Sequence, residues 1–185
     1  MKKQRVIILI AILLIVACAL CACDNKEDRD LNGFIGDMKS SMASVKSISA
    51  NISMHDSNVL VYEYQRNMQI NGSTASVEST EKTLSSSFKL DTNTSTSTIN
   101  DIDTSTLLPI ALSEWSVENV VVESDKFSCT IPVENFASVL KVGSYKISES
   151  ATLSCTFEGE HLTNITCNFI TDDGKTVAVT YDFAY

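Results

Sequence analysis

Over roughly the last forty residues apolar side chains recur at every second position, a period that a β-strand with one buried face satisfies and a helix does not. Tyr145, Ile147, Ala151, Leu153, Cys155 and Phe157 share one face, Ile165, Cys167 and Phe169 the next, and Val177, Val179, Tyr181, Phe183 and Tyr185 the last. Glu158-Gly159-Glu160 and Asp172-Asp173-Gly174-Lys175 carry turn chemistry between these runs. A three-stranded antiparallel meander with one apolar and one polar face is predicted.

The same period appears earlier. Ile48, Ala50, Ile52 and Met54 alternate with serines and an asparagine, Asp56-Ser57-Asn58 supplies a turn, and Leu60, Tyr62, Tyr64, Met68 and Ile70 alternate again. Asn71-Gly72 is a strong hairpin signal because both residues tolerate positive φ. Residues 73–106 are rich in serine and threonine with isolated apolar residues, which reads as further strands whose small polar face lines a cavity or meets water. Two stretches break the pattern with helical spacing. Leu31, Phe34, Ile35, Met38, Met42 and Val45 predict a helix near residues 31–42, and Pro132 opens another through residue 142, closed by Gly143. The apolar run Leu107-Leu108-Pro109-Ile110-Ala111-Leu112 before Trp115 predicts a short helix or an irregular flap, since Pro109 breaks any long helix. Val117 and residues 120–122 suggest a strand, and Phe127, Cys129 and Ile131 another. The fold class is therefore α+β, built on an antiparallel sheet.

The first 22 residues are of a different kind. A basic head (Lys2, Lys3, Arg5) precedes an uninterrupted apolar run from Val6 to Ala22, the layout of a secretory signal. Leu20-Cys21-Ala22-Cys23 resembles the bacterial lipobox, with an aliphatic residue, a small residue and then the cysteine that accepts lipid. Ile15-Val16-Ala17-Cys18 fits the same pattern, so Cys18 is the alternative. The resemblance implies a lipoprotein signal peptide over residues 1–22, an acylated Cys23 with a charged tether over residues 23–30, and a single domain over residues 31–185. One acyl chain binds a membrane marginally, whereas two or three of the palmitate type hold it. The expected location is the extracytoplasmic face of the cell membrane, lipid-anchored; an uncleaved membrane anchor is the competing reading.

Cleavage before Cys23 removes three basic and no acidic residues. That leaves 11 basic against 23 acidic residues in 163, a net charge of −12. Such a field repels phosphate backbones, which excludes nucleic acid as a partner and leaves membrane attachment to the acyl chains. Three cysteines remain, Cys129, Cys155 and Cys167, with spacings that match no metal-ligand signature. A Cys155–Cys167 bridge competes with three buried thiols on inward strand faces, and the second reading is preferred.

The order helix, meander, proline-containing flap, short helix, closing meander resembles the LolA/LppX-like lipoprotein carriers. The resemblance is carried by Cys129-Thr130-Ile131-Pro132-Val133-Glu134-Asn135-Phe136 and by residues 172–183. It implies a curved sheet forming a half-barrel, with two or three short helices on its concave face and a cavity for acyl chains between. Tyr62, Tyr64, Leu108, Trp115, Phe127, Phe157 and Phe169 would line that cavity.

Signatures of catalysis are missing. His55 and His161 each lie beside a turn, and no nucleophile elbow, zinc-protease, phosphate-loop or dinucleotide motif occurs. Asp101, Asp103, Asp172 and Asp173 read as turn residues, because a calcium loop needs more oxygens at fixed spacing. The sequence thus predicts no enzyme, no metal and no cofactor. It predicts a surface lipoprotein that binds a lipid-like or other hydrophobic ligand, or else a non-catalytic module that binds another envelope protein or assists assembly.

Overall fold

A computed structural model describes residues 30–142 and 145–185. The expected signal peptide, Cys18, Cys23, the expected tether before Asp30 and the expected helix stop at Gly143 lie outside the described residues.

Helix α1 (Leu31–Ser41) starts where the Asp30 carboxylate accepts a hydrogen bond from the Gly33 N–H at 2.8 Å, satisfying one of the amides that a helix start leaves unpaired. Strands β1 (Ser47–Asp56), β2 (Val59–Asn71), β3 (Thr74–Leu84) and β4 (Leu90–Ile99) follow as hairpins. The first turn places both Ser57 and Asn58 at positive φ (49° and 69°), as a two-residue hairpin loop requires. After an irregular segment come β5 (Glu118–Val122), β6 (Lys126–Ile131), α2 (Val133–Val139), β7 (Ala151–Glu158), β8 (His161–Ile170) and β9 (Thr176–Ala184).

Among the described residues the strands form one nine-stranded curled sheet, ordered β4-β3-β2-β1-β9-β8-β7-β6-β5, with every neighbouring pair antiparallel. The first strand pairs with the last, so β1 and β9 join two meanders that are each local in sequence. The sheet stays open, with β4 and β5 as its edges. Both helices lie on the same face. Phe34 of α1 sits between Phe127 and Phe157 at ring separations of 5.5 and 4.8 Å, and Phe136 of α2 meets the edge of Phe169 at 4.8 Å.

Several elements depart from the sequence expectation. The seventh strand begins at Ala151, not Tyr145; Ile147 makes only an isolated bridge to Thr171. Helix α2 stops at Val139 because Leu140 turns extended and bridges Ile110 of the flap. The flap itself is irregular, tied to this end of α2 by the Ala111 N–H on the Val139 carbonyl (2.8 Å) and the Lys141 N–H on the Pro109 carbonyl (2.9 Å). Edge strand β4 is exposed on both faces nearly throughout. Cys129, Cys155 and Cys167 are free and buried. Cys155 faces Ile165 and Cys167 faces Leu153, so the two thiols sit diagonally on adjacent strands instead of opposite one another.

Candidate functional site

One row of the helix-bearing face explains how the site arises. Across β7, β8, β9, β1, β2 and β3 the register aligns Leu153, Cys167, Val179, Ile52, Tyr64 and Glu81. The first three are fully buried, Ile52 and Tyr64 are half-buried, and Glu81 is exposed. The helices pack on β6, β7 and β8, and Ile48, Met68, Ala75 and Val77 are buried at one end of the inner face of β1 to β3; toward the other end of β1 and β2 this cover stops. Beyond it the inner face continues over β1 and β2 as Ile52, Met54, Tyr62, Tyr64 and Arg66, all half-buried. Tyr181 of β9 and Tyr145 of the segment before β7 adjoin them as partly buried residues packed against the core.

This half-buried stretch of the inner face, a candidate cleft, carries apolar and aromatic side chains and a few polar tips, the composition of a small-molecule site. One of its hydroxyls is held in place. The Tyr64 hydroxyl lies 3.2 Å from the Ser79 hydroxyl of β3, to which it donates. Burial pushes the Tyr62 hydroxyl to about 12, and the neighbouring Glu81 carboxylate adds to the shift. Burial likewise raises Tyr181 to about 12 against the opposing pull of the Arg66 charge, and raises Tyr145. The Arg66 Nε is buried and has no hydrogen-bond partner, and among the described residues no ion pair includes Arg66. At the Met54 and Tyr145 end the surface opens into a groove of about 310 Å³ that also touches Lys146, Thr171 and Lys175.

Of the residues expected to line a cavity, the structure brings Tyr62 and Tyr64 to the cleft. Phe127 and Phe157 are packed against Phe34, and Phe169 against Phe136 and Tyr145, so these three fill the core. Leu108 is buried within the flap. Trp115 is a correction: expected to point inward, it is 90% exposed. The reason is local. Leu112 and Val117 are both buried, and the chain between them makes a 3-10 turn, Glu114–Ser116, fixed by the Ser113 N–H donating to the Ser116 hydroxyl oxygen at 2.9 Å. A turn with buried flanks carries its middle outward.

Arg66 was not singled out by the sequence reading, although a signal exists. It occupies an inward position in the alternation Tyr62, Tyr64, Met68, Ile70, where a cation is out of place. Among the described residues no group of three His, Cys, Asp or Glu side chains converges. The aspartates are bound into turns: Asp103 accepts from the Ser105 N–H at 3.0 Å, and Asp173 pairs with Lys175. A larger groove of about 780 Å³ crosses the opposite, polar face of β2, β3 and β4 between Asn67, Gln69, Glu78 and Thr96.

No known family profile matches the chain, and no curated protein is similar to it. Solved structures that align with it include a redesigned β-barrel, mFAP1, bound to DFHBI, at 12% identity over 78% of this chain and 98% of that one, with a TM-score of 0.25. Another redesigned β-barrel, b11L5F_LGL, is 9% identical over 80% of this chain and 97% of that one, with a TM-score of 0.24. The redesigned barrel mFAP0, also bound to DFHBI, is 12% identical over 75% and 96%, again with a TM-score of 0.25. At these scores nothing about fold or ligand transfers to this chain.

Proposed function

We propose that this protein is a membrane-anchored bacterial surface lipoprotein that binds a lipid-like ligand between the inner face of β1 and β2 and the tyrosines Tyr145 and Tyr181. The observation that carries the reading is the end of the cover: five inward positions facing each other across β1 and β2, Ile52, Met54, Tyr62, Tyr64 and Arg66, are only half-buried although their side chains are largely apolar or aromatic. A solid core would bury them. A half-barrel with its helices on the concave side, as in the LolA/LppX-like carriers, is the form that suits this arrangement. The protein acts by binding, without catalysis or cofactor.

The test uses a long-chain uncharged fluorescent probe whose emission rises in apolar surroundings. Met54→Arg puts a charged chain into the cleft at a half-buried site outside the packed aromatic core. It should weaken probe binding at least about tenfold, the order expected when a charge faces an apolar ligand without a partner. The melting temperature should stay within a few degrees. Unchanged probe binding by Met54→Arg would overturn the cleft as the site.

Anchoring is the other half of the proposal. On that reading Cys23→Ser abolishes acyl labelling and releases the protein from the membrane fraction. Labelling that persists moves the site to Cys18, and a parent chain without label favours an uncleaved anchor.

A second reading, an interaction module for another envelope protein, is favoured by a different surface. Trp115 is 90% exposed, and edge strand β5 exposes Val120, Val121 and Val122 beside exposed Val133. An unpaired strand edge with apolar side chains is a place where another chain can add a strand.

A further inference from the structure

The cleft holds one feature that a purely apolar ligand leaves unexplained. Arg66 is the sole cation at the inward positions of β1, β2, β3 and β9 among the described residues. A guanidinium carries five N–H donors in a rigid fork and no acceptor. Burying part of it with no hydrogen bond and no carboxylate is costly unless something else supplies the oxygens. The neighbours do not supply them. In register, Arg66 faces Ala50 on β1 and Ser79 on β3, and Ala50 in turn faces Tyr181 on β9. Glu81, the nearest inward carboxylate on β3, sits against Tyr62. The residues that flank it in register, Ala50 and Ser79, are both small. The Tyr64 hydroxyl is held at Ser79, the register partner of Arg66, and the Tyr181 hydroxyl lies within electrostatic reach of the guanidinium.

We propose that Arg66 anchors the head of the ligand: its guanidinium receives the single oxyanion, carboxylate or phosphate, of an amphiphile whose chain runs over Ile52, Met54, Tyr62 and Tyr64. This rests on the cleft reading above and narrows it to acidic amphiphiles. A carboxylate or phosphate meets an arginine fork with two parallel hydrogen bonds, which gives both strength and a fixed direction. The surroundings add selectivity. A chain of net charge −9 repels anions over most of its surface, so an acidic amphiphile gains attraction only near an unpaired cation.

The test is photo-crosslinking of the full chain in washed membranes with three diazirine probes of equal chain length: a fatty acid, a lysophosphatidate and the neutral fatty alcohol. Adducts are mapped by peptide mass spectrometry to β1 and β2. In the wild type, the fatty acid or the lysophosphatidate should label these strands at least about tenfold more than the alcohol, the order set by a charge-assisted hydrogen-bonded pair. Whichever of the two labels more strongly identifies the head group. Arg66→Met keeps the aliphatic volume and removes the charge; it should bring acid labelling down to the alcohol's level and leave alcohol labelling within about twofold. Arg66→Lys keeps the charge and should retain most of the acid labelling. Equal labelling by acid and alcohol, unaffected by Arg66→Met, would overturn the anchor while leaving the cleft reading intact. No adduct on β1 or β2 with any probe would overturn the anchor together with the cleft.

Discussion

Phe34→Ala should cost about 3–5 kcal/mol, the range for emptying a fully buried aromatic site. Phe34 has no exposed surface and packs between Phe127 and Phe157, so its ring, with buried Leu31, Ile35 and Met38, holds α1 to the sheet. Typical domains are stable by only about 5–15 kcal/mol, so the loss is a large share of the total. In a domain of this size it lowers the melting temperature by roughly 10 °C or more. Phe34→Leu refills part of the space and should cost much less. Trp115→Ala serves as the control, because an exposed side chain changes stability by about 0.5 kcal/mol or less. Urea melts of the three variants followed by circular dichroism would measure this. Similar midpoints for Phe34→Ala and Trp115→Ala would contradict the packing described.

Alkali should unfold the protein well before it unfolds an ordinary domain. Burial pushes the Cys129 and Cys167 thiols up to about 12 and the Cys155 thiol well above its usual value, because each would have to place a thiolate among apolar side chains. In the unfolded chain a cysteine thiol ionises near pH 9. The folded values are raised, so the stability these thiols contribute is complete below pH 9 and is lost as pH rises from there through the folded values. Each thiol withdraws about 1.4 kcal/mol for every pH unit in that window. Three acting together exhaust a typical domain's stability within a few units. Tyr62 and Tyr181, also raised to about 12, steepen the fall above pH 10. Thermal melts at pH 7, 9 and 10.5 should show a constant midpoint over the first interval and a sharp drop over the second. A midpoint that stays level to pH 10.5 would mean that the thiols are not buried as described.

These outcomes bear on how much the sequence discloses. Period-two alternation marks out six of the nine strands, all but β3, β4 and β5, because a strand with one buried face writes its own pattern; β5 is exposed throughout and shows only as a run of valines. The alternation is weaker in β3 and β4, which are mostly polar and read as strands only through threonine content and spacing. Alternation also identifies which residues of β2 turn inward, and so places Tyr62 and Tyr64 on the right face. It does not say how deeply they are buried, since that depends on where α1 and α2 lie, a contact between segments distant in sequence. For that reason Phe127 and Phe157, expected at the cavity, lie under Phe34, while Tyr62 and Tyr64 stay partly open. Trp115 was misplaced for a simpler reason: a 3-10 turn follows neither of the two periods used to read the chain. Arg66 was legible as a charge at an inward position, but only the register shows that nothing on the flanking strands neutralises it.

The central claim is that the inner face beyond the helices is a binding cleft. Native mass spectrometry of the purified mature protein, with organic extraction of the same sample, tests it most directly. The expected result is a bound population heavier than the acylated chain by the mass of one acidic amphiphile, recovered in the extract and absent from Met54→Glu. A single species at the mass of the acylated chain, with an empty extract and no uptake when fatty acids or lysophosphatidate are added, would contradict it.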